Sequence, residues 1–414
     1  MNILYLNHYA GSPEHGMEYR PYYLAREWVR AGHSVRMVAC AFSHVRSSQP
    51  ETGNKPRSQI IDGIEYCWYP GRAYRGNGVG RVRNIWDFLS GVWRDSRRIA
   101  AEFRPDAVIA SSTYPLDIWV ARRLARLAGA KLVYEVHDLW PLSPIELGGM
   151  SPRHPFIVLC QLAENTAYRD ADLVVSMLPN VQQHMAAHGL DPGKLRIIPN
   201  GIAVDEWTEE PAPLDGELGA YVAAVRSRGD FLVGYAGSHG LPNALDRLLD
   251  AAALLRNDPV SFVLVGDGHE RARLLARVAD EGLSNVAMFG PVAKKRIPAL
   301  LAAIDVAYIG WSRNPLYRFG ISPNKLLDYM MAGRPVLHSV AAANDLVAES
   351  SCGLSVPPDD PPAIAAAIRR LALISIVERE RMGARGRSYV LANHDYRVLA
   401  GRFLGNITPG GAGP

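Results

Sequence analysis

Short apolar runs alternate with longer amphipathic stretches along almost the whole chain, which restricts it to α/β architectures built on mainly parallel sheets. The runs come in two series. The first comprises residues 3–6, 34–40, 107–110, 131–136, 173–176 and 195–198. After Asn200-Gly201 the pattern lapses through a Pro-, Glu- and Asp-rich stretch at 207–216, the composition of a linker before a new start. The second series is 231–235, 262–265, 286–289, 306–309 and 335–340. Two doubly wound, Rossmann-like parallel-sheet domains are therefore expected, at 1–205 and 206–387, with a C-terminal helix at 388–404 packing back on the first and a flexible tail at 405–414. Two such sheets turn the carboxyl ends of their strands toward a shared cleft, where ligands bind in these folds.

At 48% apolar residues, the 414-residue chain can bury two sizeable cores, which excludes disorder over most of its length. Its 45 basic residues barely outnumber its 41 acidic ones, and a net charge of +4 suits a nucleic-acid binder only if the positive charge gathers in one patch. No nucleic-acid partner is expected. Cys40, Cys67, Cys160 and Cys352 lie far apart with no C-x-x-C pair, so they read as free thiols of a reducing compartment. No metal or other cofactor is expected. The first apolar run stops at Asn7-His8 and follows no basic segment, the pattern of a strand rather than a leader. No run approaches the ~18 apolar residues of a membrane span, and 297–311 is broken by Asp305. A cytoplasmic location follows, with room for contact at the inner face of the membrane.

The most informative segment is Phe319-Gly-Ile-Ser-Pro-Asn-Lys-Leu-Leu-Asp-Tyr-Met-Met-Ala-Gly-Arg-Pro-Val336. Ser322 is a good N-cap, Pro323 suits the first helical position, and Gly333 with Pro335 ends the helix. Free amides at such an N-terminus, the positive end of the helix dipole and Lys325 in the first turn make an anion site suited to phosphates. Asp328 lies about 9 Å further along the axis, at ~1.5 Å per residue, where a carboxylate can accept from ribose hydroxyls. A core helix with Leu326, Leu327, Met330 and Met331 as its buried stripe fits the same residues.

This segment resembles the donor-binding helix of retaining family 4 glycosyltransferases of the GT-B fold, whose pattern is Glu-x7-Glu followed by Ala-x-Ala-x-Gly-x-Pro-Val. Asp328 takes the second acidic position, which in that family holds the ribose, and Gly320 stands where the first glutamate would contact sugar hydroxyls. The resemblance extends along nearly the whole chain. Val265-Gly266-Asp267-Gly268-His269 resembles the Gly-Asp-Gly turn, and 285–290, with Met288 and Phe289, the segment that meets the base. Glycines there allow a ligand close to the backbone. Gly237, Ser238 and His239 follow a strand, and Ser238 and Asn243 fall where the family carries an Arg and a Lys for the diphosphate. Compensation by Lys325, helix amides, His239 or Arg318 is expected, because a diphosphate leaving group needs its charge stabilised. Ile321, Ser322 and Asn324 complete the donor set.

The first strand turn has no G-x-G-x-x-G, which counts against a nicotinamide oxidoreductase. Gly16 and Glu18 match the family's Gly-Gly-x-Glu loop, with His15 for the first glycine, and 18–29 resembles the subgroup transferring N-acetylated 6-deoxy sugars such as N-acetylfucosamine. Arg20 is then a candidate for an acceptor phosphate, or alternatively a surface ion-pair residue. His137-Asp138 ends an apolar strand, and the resemblance implies that the histidine hydrogen-bonds the donor sugar; a structural His-Asp pair is the alternative. Over 81–104 arginines accompany Ile85, Trp86, Leu89, Val92 and Trp93 at helical spacing. Such a helix either packs its apolar stripe on the sheet or docks at anionic headgroups.

These expectations combine into a retaining glycosyltransferase. It would take a nucleotide-diphosphate sugar, UDP-linked, on the second domain and a saccharide or polyprenyl-diphosphate-linked acceptor on the first, in surface polysaccharide or glycoconjugate assembly. His137, Asp138 and Lys325 are its candidate catalytic residues. A sugar-nucleotide epimerase of the same fold and a GT-B binding protein without catalysis are the alternatives.

Overall fold

The computed structural model describes residues 1–76, 78–207 and 213–408, and it separates into two units, Met1–Asn200 with Tyr396–Pro414, and Gly201–Asp395. Half of the 207–216 linker and the tail from 409 onward lie outside the described residues.

The first unit is built on eight strands: β1 Asn2–Leu6, β2 Ser34–Cys40, β3 Arg57–Ile61, β4 Ile64–Tyr69, β5 Ala107–Ala110, β6 Lys131–Val136, β7 Leu173–Ser176 and β8 Leu195–Ile197. Their order is β3-β4-β2-β1-β5-β6-β7-β8, parallel throughout except for β3 against β4. That hairpin is absent from the series of apolar runs. Its local signal is Asp62-Gly63, whose positive φ values of 51° and 80° form the tight turn that pairs Ile61 with Ile64.

The second unit holds β9 Phe231–Ala236, β10 Val260–Val265, β11 Val286–Phe289, β12 Val306–Gly310, β13 Val336–Ser339 and β14 Gly353–Val356, ordered β11-β10-β9-β12-β13-β14 and all parallel. The order reverses between β9 and β12, and the loops leaving the carboxyl ends of those strands flank the crevice where open α/β sheets bind ligands. β9 and β10 are buried on both faces, as parallel central strands must be. Edge strand β14 is partly exposed, and a side chain at Gly353 would meet the Val336 carbonyl.

The last helical stretch is two helices, Ile376–Asn393 and Tyr396–Ile407, where the sequence suggests one. The break falls at His394-Asp395 because Ile202 pairs there, donating its amide to the His394 carbonyl at 2.8 Å. Residues 388–393 thus stay with the second unit. Only Tyr396–Ile407 joins the first, stacking Tyr396 on Tyr23 at 5.0 Å and placing Phe403 against Trp28, whose indole N–H donates to Ala400. Residues 405–407 belong to this helix and not to a tail.

All four cysteines are free, Cys40, Cys160 and Cys352 being buried. Among the described residues no helix is long and apolar enough to cross a membrane.

Candidate functional site

In the second unit the turns after β9 and β10 interlock. Gly237 donates to Val265 O at 3.0 Å, His239 to Asp267 O at 2.8 Å, and Glu270 back to His239 O at 3.0 Å. A Cβ at Gly266 would lie 1.9 Å from Gly237 O, and one at Gly268 2.5 Å from His239 O. These glycines therefore let backbone approach backbone, where the sequence suggested room for a ligand. His239 is wholly buried by this packing, and neither ring nitrogen has a hydrogen-bond partner among the described residues. Burial, then the nearby Arg271 charge, lowers its pKa, so the neutral ring keeps one unspent N–H. Arg271, which opens the next helix, has its Nε buried without a hydrogen-bond partner among the described residues. No sequence motif singled it out.

The helix Asn324–Met331 begins one residue later than a Ser322 cap would place it. Pro323 occupies the cap position and no side chain caps the first turn. Those first amides thus remain the polar end of a dipole. Gly320, at φ 101°, and Ile321 shape the loop before it, and Asn344 clamps Ile321 from both sides, accepting from its amide at 2.7 Å and donating to its carbonyl at 3.0 Å. Tyr329, buried with Leu326, Leu327, Met330 and Met331, bridges the amide and carbonyl of Ala236, tying the helix to the end of β9. Core stripe and site are thus two faces of one helix.

Lys325 Nζ donates to Tyr235 Oη at 2.9 Å and Asn243 Oδ1 at 2.5 Å and sits 4.8 Å from the Tyr235 ring centroid. An ammonium has three N–H donors, so these bonds leave one to spare. A Cβ on Gly237 would come within 3.1 Å of that nitrogen. Burial pushes the lysine down to about 8. The polar side chain at position 243 thus holds a cation delivered from another element, which explains how the turn after β9 can lack its own. Exposed Ser238 accepts at its carbonyl from Tyr235 and Asn243. Asp328, half-buried, makes no hydrogen bond through its carboxylate among the described residues, and burial pushes its pKa up to about 7. Met288 and Phe289 end edge strand β11, Phe289 giving its carbonyl to Gly266 at 3.2 Å and packing on Tyr221. Arg318 lies over the Phe319 ring and donates to Pro315 O at 2.6 Å.

The first unit gathers its charges differently. Arg20 is buried, and each guanidinium nitrogen is engaged: Nε with Glu135 at 3.0 Å, Nη1 with Pro199 O at 2.6 Å, and Nη2 with Ile198 O at 2.8 Å and Glu135 at 2.9 Å. Nη1 also reaches Asn200 Oδ1 at 3.4 Å, so all five N–H donors are taken; this corrects both expectations for Arg20, since none remains for a phosphate and the pair is not on the surface. Glu135 also accepts from Tyr5 and from Ser111, the latter at 2.6 Å. Burial alone would raise its pKa, but Arg20, then His137 and Ser111, hold it well below the usual range. His137 Nε2 lies 2.8 Å from Ser111 Oγ and 3.5 Å from Glu135. Burial opposes its charge, yet Glu135 raises its pKa, and Nδ1 has no partner among the described residues. Asp138 is exposed and Glu18 half-buried. The loop carrying Gly16, at φ 95°, is bridged to Arg46, a buried arginine absent from the sequence motifs that donates to the carbonyls of His8, Ala10, Cys40 and Ala41.

The basic helix spans Val79–Phe103 and splits its apolar residues. Ile85, Phe88 and Val92 are buried, whereas Val79, Val82, Trp86 and Trp93 are exposed, Trp86 to 71%. The four exposed residues are spaced to share one helical face. Arg123 stacks on Trp93 at 4.7 Å, and Arg72 and Arg98 are paired with Asp87 and Asp95, so part of the positive charge is neutralised.

Residues 15–201 match the family described as Glycosyl transferase 4-like domain, and residues 230–373 the family Glycosyl transferases group 1. The chain is 24% identical over 322 residues to a probable glycosyltransferase, WbjE, of Pseudomonas aeruginosa, covering 76% of this chain and 77% of that protein. Among solved structures it resembles sucrose-phosphate synthase of Thermosynechococcus elongatus (TM-score 0.72, 18% identity, 97% of both chains). It also resembles Anabaena HepE in complex with UDP and glucose (TM-score 0.66, 19% identity, 98% of both).

Proposed function

The chain belongs to the GT-B glycosyltransferases, 4-like in its first unit and group 1 in its second, and on that premise we propose a retaining transfer of sugar from a UDP-linked donor bound by the second unit. The diphosphate sits at the amides opening Asn324–Met331, with Lys325 supplying its spare N–H and Arg271 and His239 adding donors from the adjoining turn. Asp328 accepts from the ribose hydroxyls, and the base lies along Met288 and Phe289. The observation that carries this reading is the pair on one helix: a lysine with a donor to spare and, one turn on, a half-buried carboxylate with no hydrogen-bond partner among the described residues.

Departure of the nucleoside diphosphate builds negative charge on its phosphate oxygens, which preorganised amides and a cation stabilise where they develop. A phosphate oxygen of the leaving group takes the proton of the incoming hydroxyl on the same face, so configuration is retained without a protein nucleophile. In the first unit His137 offers Nδ1 to the donor sugar, with Asp138 beside it, and the Gly16–Glu18 loop receives a saccharide or polyprenyl-diphosphate-linked acceptor. Gly320, lacking a side chain for sugar hydroxyls, supports an N-acetylated 6-deoxy sugar. The exposed Val79, Val82, Trp86 and Trp93 face supports docking at an anionic cytoplasmic membrane surface.

The test incubates the protein with UDP- and GDP-sugars, with and without lipid-phosphate acceptors, followed by mass spectrometry and by NMR of the anomeric centre. Sugar transfer with the donor's configuration is expected. An isomerised nucleotide sugar in the absence of acceptor, or an inverted product, would replace this reading.

A further inference from the structure

Two helices of the first unit bring together three side chains that no step above uses. Glu164 lies on Pro155–Asp170; His184 lies on the short helix Gln182–Ala187, and His188 follows directly after it. The histidines are one turn apart, with ring centroids 4.5 Å from each other. One carboxylate oxygen of Glu164 and one nitrogen of each imidazole all lie within 4.8 Å of one another, and His184 Nε2 is 4.0 Å from Glu164 Oε1.

The surroundings orient these groups. Tyr168 Oη donates to Glu164 Oε1 at 2.9 Å and Gln161 Nε2 to Oε2 at 2.8 Å, so the carboxylate is held by neutral donors from its own helix. His188 Nδ1 lies 2.8 Å from the His184 carbonyl. A carbonyl only accepts, so Nδ1 carries the proton and Nε2 presents its lone pair. Metal-bound histidines have their tautomer set by such a second hydrogen bond, and ligating carboxylates are themselves hydrogen-bonded. Glu164 is 1% exposed, and among the described residues its one ion-pair partner is His184. Burying a carboxylate beside two imidazoles, with no lysine or arginine on it, is costly unless a cation completes the group.

We propose that Glu164, His184 and His188 form a binding site for a divalent transition metal, zinc by preference. Two imidazoles and one carboxylate suit zinc better than the all-oxygen cations magnesium and calcium. Zinc bonds of about 2.0–2.2 Å require the three ligand atoms to draw in by roughly 1 Å, a side-chain adjustment, and leave the fourth position to water. The ion staples the helices on either side of β7 and shares no residue with the donor or acceptor regions. The sequence conceals the site because Glu164 stands 20 positions before His184.

The experiment uses the full chain without a polyhistidine tag, stripped by chelator. It is titrated with Co2+, whose visible absorption reports a four-coordinate site, and then with Zn2+ in competition. One saturable equivalent, displaced by Zn2+ and raising the thermal midpoint, is expected. His188→Gln and Glu164→Gln should each weaken it by more than the roughly 10- to 100-fold that loss of an outer partner costs, and Tyr168→Phe by about 10-fold. UDP binding, on the second unit, should be unchanged in all three, and far-ultraviolet circular dichroism with a cooperative urea transition like that of the metal-free parent reports that the first unit folds. Absence of a saturable equivalent in the parent protein, or binding that survives in folded Glu164→Gln and His188→Gln, overturns the proposal.

Discussion

Arg20 and Lys325 occupy comparable places, each a cation beside the sheet of its own Rossmann-like unit, yet their surroundings differ in kind. Arg20 shares its guanidinium among a buried carboxylate and backbone carbonyls, and Glu135 is in turn saturated by Tyr5, Ser111 and His137. Lys325 has two neutral partners and a donor to spare, and among the described residues Asp328 has no hydrogen-bond partner for its carboxylate. A saturated buried charge specifies how its own unit is assembled. An unsaturated one is affordable only where a ligand will complete it, and this distinction separates scaffold from site without reference to any motif.

The comparison breaks most readily at Arg20. Arg20→Ala leaves Glu135 buried without its cation and should cost the first unit about 3–5 kcal/mol, read as an earlier urea midpoint. A midpoint within error of the parent would make the network ornamental. Lys325→Ala should leave that midpoint almost unmoved and lower kcat by roughly 100-fold or more, the scale of losing one donor to a developing anion. Near-normal turnover removes Lys325 from the site. Asp328→Asn should weaken UDP binding by about 10-fold in calorimetry, one charge-assisted bond being worth about 1.5 kcal/mol or more. Equal affinity would reassign the ribose contact.

The smallest effects come from pH. From the ordinary 3.8 to about 7 the folded protein keeps a proton on Asp328 that the unfolded chain has lost, so stability falls as pH rises across that window. Nucleotide needs the ionised acceptor, so affinity should rise toward pH 7 and fall again as Lys325 loses its charge near about 8. Asp328→Asn should flatten the acid limb alone. An unchanged acid limb in that variant would assign it to another group.

Local patterns carried much of this. The period of the apolar runs located most strands of both sheets, and Pro323, Gly333 and Pro335 punctuated the helix Asn324–Met331 to within one residue, because breakers and alternation act inside one short window. The β3–β4 hairpin escaped because β3 is largely exposed and β4 carries an aromatic run, Tyr66 to Tyr69, in place of an aliphatic one. At 85–93 helical spacing was legible, but which aromatics faced water was not, since both stripes share the same period.

What the sequence determined by itself was therefore the two-sheet plan and the punctuation of the helix Asn324–Met331. The tertiary structure alone decided that Arg20 is internal, that Lys325 is held by Tyr235 and Asn243, and that Glu164 meets two histidines. Arg20 and Glu135 are 115 positions apart and Lys325 and Asn243 are 82 apart, and the saturation of a charge depends on partners that only the folded chain brings within bonding distance.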